Sequence, residues 1–380
     1  MSTEPHHLKH AIHSILIIQT KYIGDVILTS AMVRNLRLAY PDATVTMLCT
    51  MGLRQFVVKQ QIVDQAIGFD IRGRGMSLWQ RFKEYRSVLA EVRSRDFDLT
   101  IDLSDSKSSR LLHRLIGAPL RVGFDPPESP LKFWETQPAN ILAATHGHGD
   151  AHYLQRYLSP LRALGVDVAD PIPRLEAGPE ARAECAKVLQ QISLARGTFI
   201  AVHAGARFEG RCWQPERFAR VIDEIYSRTG LISLLIGGPE ESATAQKIIE
   251  TAVSPVRSLV GSVSLETLTA LLADARIFLG NESGPMHLAA SAGTPVVGIY
   301  GLTPPDIWGP LGVPNRTIAP PLPCQCVAPG RCRPNNPGGV YCVHRVKVVD
   351  VAIAAFELLQ ASGLLLDHFD PTSPCGEAAL

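Results

Sequence analysis

The chain has 380 residues, and its hydrophobic content of 46% is that of a soluble protein long enough for two compact domains. Lys and Arg number 37 against 36 for Asp and Glu, so no overall excess of positive charge predicts a nucleic-acid partner. This composition excludes disordered and fibrous proteins, and any anionic ligand has to be bound by local groups.

The first apolar run extends from Ile15 to Ile18 and is too short for a secretion signal. Polar residues begin at Gln19, whereas the apolar core of a signal peptide needs about 7–15 residues. No other stretch approaches the roughly 18 uninterrupted apolar residues of a membrane-spanning helix. We therefore expect a cytoplasmic protein, and contact with a membrane surface stays open.

In the first half of the chain, apolar β-branched runs alternate with amphipathic stretches, which predicts a parallel sheet wrapped by helices. The predicted strands span residues 14–18, 44–49 and 97–103. The predicted helices span residues 25–39 and 79–92, and the apolar spacing from Tyr153 to Leu161 predicts a further amphipathic helix.

A segment rich in proline and glycine, from about Asp167 to Pro179, has the composition of a domain boundary. Beyond it the alternation restarts, with predicted strands at 199–203, 231–236, 277–279 and 296–300 and predicted helices at 215–227, 242–253, 265–272 and 285–292. We predict an N-terminal domain over 1–172, a C-terminal domain over 173–345, a helix over 346–365 and a disordered tail over 366–380.

Ligands bind beyond the carboxyl ends of parallel strands, so the loop after the first strand is the first candidate site. Asp25 lies in this loop at the start of a predicted helix, where a carboxylate can cap exposed amides. It could equally serve as the general base that removes the proton of an acceptor hydroxyl.

The loop from Gly280 to His287 is the second candidate. Gly284 allows close approach of a ligand to the backbone, Pro285 suits the first helical turn, and the free amides there could bind a diphosphate. The alternative is an ordinary turn between a strand and a helix.

Two further loops follow predicted strands of the second half. Arg211, shortly after His203, could hold a phosphate with two hydrogen bonds, or could be an isolated surface residue. Glu240 and Glu241 could accept hydrogen bonds from ribose hydroxyls, or could be favourable charges at a helix start.

Together these loops resemble glycosyltransferase family nine, the lipopolysaccharide heptosyltransferases. The resemblance extends from Ile15 to about Leu359 and is carried by the order and spacing of the segments 24–25, 203–205, 213–218, 281–287 and 293–295. It implies a GT-B fold, with two Rossmann-like domains facing an interdomain cleft and a C-terminal helix that crosses back to the N-terminal domain.

The implied reaction is the inverting, metal-independent transfer of heptose from a nucleotide-sugar donor, ADP-heptose, to the lipopolysaccharide core at the cytoplasmic face of the inner membrane. Asp25 matches the family's general base. The implied ligand-binding positions are Lys21 and Gly24 for the acceptor, and His203, Arg211, Glu241, Glu282, Ser283 and Gly284 for the donor. Because Glu240 is adjacent to Glu241, the match of Glu241 to the family's ribose-binding carboxylate stays open.

Two positions depart from the family's pattern. Arg211 stands where the family commonly has Lys, which keeps the charge and changes the hydrogen-bond geometry. Glu282 stands where the family commonly has Asp, and the longer side chain puts the identity of the donor sugar in question.

Four cysteines lie close together near the C-terminus: Cys324, Cys326, Cys332 and Cys342. Their spacing is not that of a standard zinc knuckle, so either a structural zinc or iron site or reduced thiols fits. His146, His148, Asp150 and His152 also suggest a metal, but their spacing is not that of a tetrahedral site, and helix capping or acceptor contact explains them equally well.

Other functional classes fit the alternation of strands and helices. A dinucleotide-dependent oxidoreductase is disfavoured because the loop after the first strand has no Gly-x-Gly-x-x-Gly. A sugar-nucleotide epimerase, a protein heptosyltransferase, another nucleotide-sugar transferase of the same fold and a non-catalytic scaffold remain alternatives.

Overall fold

The computed structural model describes residues 12–69, 76–124, 142–144, 151–301, 303–320 and 341–363. The chain folds into two compact units, the first over Met1–Pro173 and the second over Arg174–Leu380. Each unit contains one six-stranded sheet whose paired strands are all parallel.

The first unit has strand order β3-β2-β1-β4-β5-β6. Its strands and helices are, in chain order, β1 (Ser14–Ile18), α1 (Ile23–Ala39), β2 (Thr44–Cys49), α2 (Arg54–Lys59), β3 (Gln65–Gly68), α3 (Leu78–Arg93), β4 (Leu99–Asp102), α4 (Lys107–Leu115), β5 (Leu120–Phe124), β6 (Leu142–Ala144) and α5 (Leu154–Ala163). The central strand β1 is apolar on both faces because both faces are covered, and Ile15 to Ile18 are fully buried.

The second unit has strand order β12-β11-β10-β7-β8-β9. Its elements are α6 (Pro179–Gln191), β7 (Phe199–His203), α7 (Pro215–Thr229), β8 (Ile232–Leu235), α8 (Ser242–Thr251), β9 (Val256–Ser258), α9 (Leu265–Asp274), β10 (Phe278–Asn281), α10 (Gly284–Ser291), β11 (Val296–Ile299), α11 (Pro305–Trp308), β12 (Asn315–Ile318) and α12 (Val348–Ala361).

In both sheets the direction of strand addition reverses once. The reversal falls between β1 and β4 in the first unit, and between β7 and β10 in the second. Loops on the two sides of such a point diverge at the carboxyl ends of the strands and leave a crevice there. The polar loops identified in the sequence follow β1, β7 and β10, so the topology places them at these two points.

The predicted strands and helices are present with shifted ends, and among the described residues five further strands and four further helices were not predicted. The strand predicted over 97–103 is shorter, with β4 covering only Leu99–Asp102, since the following residues turn towards α4. Short strands such as β9 and β12 were not predicted, because each has only three or four residues and none of these residues is buried. Such strands lack the apolar alternation by which half-buried strands are identified.

Helix α12 packs differently from the helix predicted to cross back to the N-terminal domain. It packs against α7, β11 and β12, and its buried residues, including Val351 and Phe356, belong to the core of the second unit. The apolar face of α12 is therefore buried within the second unit. Over the ranges given above, no helix is both long and apolar enough to cross a bilayer.

Candidate active site

Asp25 lies in the first turn of α1, directly beyond the carboxyl end of β1, and is 8% exposed. Its Oδ2 accepts a hydrogen bond from the Tyr22 backbone amide at 3.2 Å, as a helix-capping carboxylate does. Its Oδ1 accepts a short hydrogen bond from the hydroxyl of Tyr157 in α5. Oδ2 thus caps the helix. Oδ1 contacts Tyr157, and helix capping does not require this second contact.

The surroundings of Asp25 raise the pKa of its carboxyl group. Burial has the largest effect, because it disfavours the charged form. The hydrogen bond from Tyr157 and the positive charges of Lys21 and Arg156 oppose this effect and compensate for only part of it. A carboxylate with a raised pKa accepts a proton more readily than an exposed one, as a general base must.

Helix α5 supplies two of the groups near Asp25, Tyr157 and Arg156. The Arg156 guanidinium lies 4.0 Å from the centre of the Phe124 ring, and its Nη2 contacts Asp105 Oδ2 at 2.7 Å. Asp105 also accepts a hydrogen bond from Arg110 Nε at 2.7 Å. The sequence alone assigns none of these residues to a site, because an apolar helical pattern does not show what a buried tyrosine hydroxyl or its neighbours contact.

The two residues predicted to bind the acceptor lie beside Asp25. Lys21 Nζ donates to the Tyr153 hydroxyl at 3.3 Å and lies 5.8 Å from the centre of that ring. Gly24 is the second residue of α1 and is partly exposed. Of the four residues from His146 to His152 considered as metal ligands, only His152 is among the described residues, and its Nδ1 accepts the Leu154 amide at 3.1 Å. This contact fits the capping alternative.

In the second unit, three predicted donor-binding residues form one hydrogen-bonded row. Ser283 Oγ lies 3.1 Å from His203 Nδ1, and His203 Nε2 lies 3.1 Å from Glu241 Oε2. Ser283 follows β10, His203 is the last residue of β7 and Glu241 follows β8. The topology brings these strand ends together at the carboxyl edge of this sheet. Glu241, and not Glu240, contacts His203, and Glu240 is exposed.

The carboxylate of Glu241 is held tightly against two backbone segments. A Cβ atom added at Gly205 would lie 1.5 Å from Glu241 Oε1, and one added at Gly237 would lie 2.0 Å from Oε2. Burial alone would raise the pKa of Glu241, but the hydrogen bond and charge of His203 and the Gly238 amide outweigh it and lower the pKa. Glu241 therefore stays ionised and suits the role of hydrogen-bond acceptor.

Arg211 and Glu282 form an ion pair, with Arg211 Nη1 at 2.7 Å from Glu282 Oε2. Glu282 is 4% exposed and also accepts a hydrogen bond from the Thr303 hydroxyl at 2.7 Å. Arg211 Nε is buried and has no hydrogen-bond partner within the described ranges. The guanidinium is thus fixed by Glu282 and retains a donor.

Helix α10 begins at Gly284, with Ser283 as its N-cap residue and Pro285 in its first turn. The Ser283 side chain makes no capping hydrogen bond and contacts His203 instead. Asn281, fully buried, ties this loop to the segment between β7 and α7: its side chain accepts from the Trp213 amide at 3.1 Å and donates to the Ala204 carbonyl at 2.7 Å. The first amides of a helix have no partner within it, so this start can bind an anion.

Three of the four clustered cysteines, Cys324, Cys326 and Cys332, lie outside the described residues. Cys342 is described and is a partly buried free thiol. Elsewhere in the described part of the chain, no group of three or more His, Cys, Asp or Glu side chains could hold a metal ion. The suggested structural zinc or iron site stays a prediction.

Two parallel α/β domains, each with a polar cluster at the point where its strand order reverses, form the architecture of the GT-B glycosyltransferases. The sequence model of glycosyltransferase family 9 (heptosyltransferase) matches residues 85–328. The chain therefore belongs to this family, and the prediction of a glycosyltransferase is confirmed.

The chain is 26% identical over 293 residues to lipopolysaccharide heptosyltransferase 3 of Escherichia coli K12, a match that covers 76% of this chain and 83% of that protein. A family 9 glycosyltransferase structure from Veillonella parvula has a TM-score of 0.77 and 22% identity, over 93% of this chain and 99% of that chain. The E. coli ADP-heptose lipopolysaccharide heptosyltransferase II structure has a TM-score of 0.71 and 20% identity, over 92% and 99% of the respective chains. The predicted fold class, two Rossmann-like domains, is confirmed.

Proposed function

We propose that this enzyme transfers heptose from ADP-heptose to a sugar hydroxyl of the lipopolysaccharide core. The named relatives support the reaction class, since one is a lipopolysaccharide heptosyltransferase and another an ADP-heptose heptosyltransferase. The observation that carries the proposal is Asp25, a buried carboxylate of raised pKa at the carboxyl edge of the first sheet.

In the proposed step, the acceptor oxygen attacks the anomeric carbon as Asp25 takes the hydroxyl proton. The new carbon–oxygen bond forms while the bond from the anomeric carbon to the diphosphate oxygen breaks, and ADP leaves with the bonding electrons. Because attack and departure occur on opposite faces, the anomeric configuration inverts. Tyr157 supports this step by holding one oxygen of Asp25 and orienting the carboxylate.

In the same proposal, the loops of the second unit bind the donor. The diphosphate lies at the start of α10 near Ser283 and Gly284, and it is contacted by the Arg211 guanidinium, which Glu282 holds in place. Glu241 accepts hydrogen bonds from the ribose hydroxyls, beside His203. These groups stabilise the charge of the leaving ADP, so we propose that transfer needs no metal and persists when a chelator is added.

The test is a donor screen with the purified enzyme and a core acceptor that lacks its heptoses. ADP-, GDP- and UDP-heptose are compared, and NMR of the product determines the anomeric configuration. The proposal expects transfer from ADP-heptose with inversion, unchanged by chelator. Preference for another nucleotide, retention of configuration, or epimerised donor in place of a transferred sugar would contradict it.

A further inference from the structure

The first two turns of α3 present large apolar side chains to solvent. Leu78 is 84% exposed, Trp79 71% and Phe82 51%. Three large apolar groups within five residues form a contiguous patch, unlike single exposed hydrophobics, which are common on any protein. Only later in the helix do Val88 and Val92 become buried in the core of the first unit.

The helical spacing arranges these residues on one face. Leu78 and Phe82 are four residues apart, as are Trp79 and Lys83, and Arg86 follows Phe82 by a further turn. The same periodicity puts Glu84, the one acidic residue of these first turns, on a different side. Among the first turns of α3, the charges on this face are therefore the positive ones of Lys83 and Arg86.

The side chains of this face are packed against one another. The Trp79 and Phe82 rings lie 5.7 Å apart with an interplanar angle of 30°, and the Arg86 guanidinium lies 5.8 Å from the centre of the Phe82 ring. Cation–π contact keeps the positive group beside the aromatic surface. The combination of aromatic rings, a leucine and basic groups is that of an interfacial helix.

We propose that this face of α3, formed by Leu78, Trp79, Phe82, Lys83 and Arg86, docks onto an anionic lipid bilayer. The apolar groups enter the boundary between headgroups and acyl chains, and the two basic groups contact lipid phosphates. Charge complementarity favours this partner over a second copy of the chain, because two such faces would bring their positive charges together.

The topology relates this surface to the candidate base. In a parallel sheet, the helix after a strand begins at the carboxyl edge, so the start of α3 after β3 lies at the edge where Asp25 follows β1. Docking through α3 would bring this edge of the first unit towards the bilayer. The hydroxyl of a lipid-linked acceptor would then lie on the same side of the first unit as Asp25.

The first test measures cosedimentation of the full chain with vesicles of phosphatidylglycerol and phosphatidylcholine, and with phosphatidylcholine vesicles alone. We expect Trp79→Ser with Phe82→Ser to weaken binding about tenfold or more, because burial of aromatic surface is lost. Lys83→Glu with Arg86→Glu should weaken binding to the anionic vesicles by at least about fivefold for each residue, which corresponds to about 1 kcal/mol each.

Leu38→Ser is the matched control, since Leu38 in α1 of the same unit is 65% exposed and lies on another helix. It should bind vesicles like the unchanged protein. Equal binding by all variants, or no binding by the unchanged protein, would overturn the proposal. So would a dimer that Trp79→Ser dissociates without any vesicle binding, as this outcome would assign the face to a second copy.

A second measurement locates the contact by fluorescence quenching with brominated lipids. Of the four tryptophans, Trp79 is on the proposed surface and Trp213 is buried in the second unit. Trp79→Phe should keep vesicle binding and lose most of the quenching. Quenching that persists in this variant would place the contact elsewhere and overturn the assignment.

The docking proposal is separable from the proposed sugar transfer. The α3 variants should retain full activity on a water-soluble acceptor oligosaccharide and lose activity only on acceptor embedded in vesicles. If no heptosyl transfer occurs with any acceptor, the proposed function fails while vesicle binding still tests the surface. If transfer occurs and the variants bind vesicles normally, the docking proposal alone fails.

Discussion

Asp25 of the first unit and Glu241 of the second both follow a parallel strand at the carboxyl edge of its sheet, and their proton affinities shift in opposite directions. Burial has the largest effect on both carboxyl groups. For Asp25 it prevails, and the pKa is raised. For Glu241 the hydrogen bonds and charge of its neighbours prevail, and the pKa is lowered.

The difference lies in the partners. Asp25 receives one hydroxyl and one backbone amide, both neutral donors, and is almost fully buried. Glu241 contacts His203, which can carry a positive charge, and the Gly238 amide. A carboxylate poised to take a proton suits the chemical step, whereas one that stays ionised suits ligand binding. Within the proposed function, the two units therefore use the same residue class for different tasks.

The largest effect is expected from Asp25→Asn. Loss of the proton acceptor should reduce kcat by about a hundredfold or more, in line with removal of a general base. Because burial disfavours the ionised carboxylate, the neutral side chain should leave the Tm unchanged or raise it. Steady-state kinetics and thermal unfolding measure both.

The exposed Asp42 provides the control, and Asp42→Asn should retain full turnover. A folded Asp25→Asn variant with unchanged kcat would show that the raised pKa of Asp25 serves no catalytic purpose.

Arg211→Ala is expected to weaken binding of the donor. The loss of a charge-assisted hydrogen bond of about 1.5–3 kcal/mol should raise the donor KM about 10- to 100-fold. Arg220→Ala removes an exposed arginine from α7 and should change nothing. If Arg211 serves only to neutralise Glu282, the variant should instead unfold at lower temperature with an unchanged donor KM.

Tyr157→Phe tests the partner of Asp25. The hydroxyl lowers the pKa of Asp25 by hydrogen-bonding its ionised form, so removing it should raise that pKa further. Since the base acts when deprotonated, the acidic limb of kcat/KM should move to higher pH by about one unit. At a pH below this limb the rate should fall about tenfold.

Tyr85 supplies the matched tyrosine, because its hydroxyl contacts the Ser108 carbonyl instead of a carboxylate. Tyr85→Phe should leave the acidic limb in place. If the acidic limb of kcat/KM does not move in Tyr157→Phe either, the group that titrates there is not Asp25.

The smallest effect on turnover is expected from Asp102→Asn. Asp102 is fully buried beside β1, and burial raises its pKa to about 7 although Ser109 and two backbone amides donate hydrogen bonds to it. The folded state thus retains a proton that the unfolded chain releases, so this group lowers stability as pH rises from 3.8 to about 7.

As the pH rises over this range, urea unfolding should show a fall in the free energy of unfolding of up to about 1.4 kcal/mol per pH unit. Asp102→Asn should remove this fall, while turnover changes little. A large loss of turnover in a folded Asp102→Asn variant would make Asp102, and not Asp25, the reactive carboxylate of this edge.

The sequence identified those parts of the fold and site that are local. Asp25, His203 and Ser283 each lie near the end of an apolar strand and before or at the start of a helix, and such patterns are visible over about ten residues. The match of Asp25 and Glu241 to a family pattern then suggested their roles. The row of Ser283, His203 and Glu241 follows once parallel strands bring their loop ends together.

Contacts between distant segments could not be predicted in this way. Tyr157 lies 132 residues from Asp25, and its place in α5 looks like any core position of an amphipathic helix. The pairing of Arg211 with Glu282 depends on side-chain direction, which spacing alone does not fix. Helix α12 has an apolar face that could pack on either unit, and the sequence does not say which.

The division of tasks between the two carboxylates is tested most directly by isothermal titration of ADP into Asp25→Asn and Glu241→Gln. If Glu241 binds the donor ribose and Asp25 acts only as base, ADP should bind Asp25→Asn with unchanged affinity. It should bind Glu241→Gln about tenfold more weakly, the scale of a lost hydrogen bond to a charged group. Unchanged ADP affinity in Glu241→Gln, or a comparable loss in Asp25→Asn, would contradict the account.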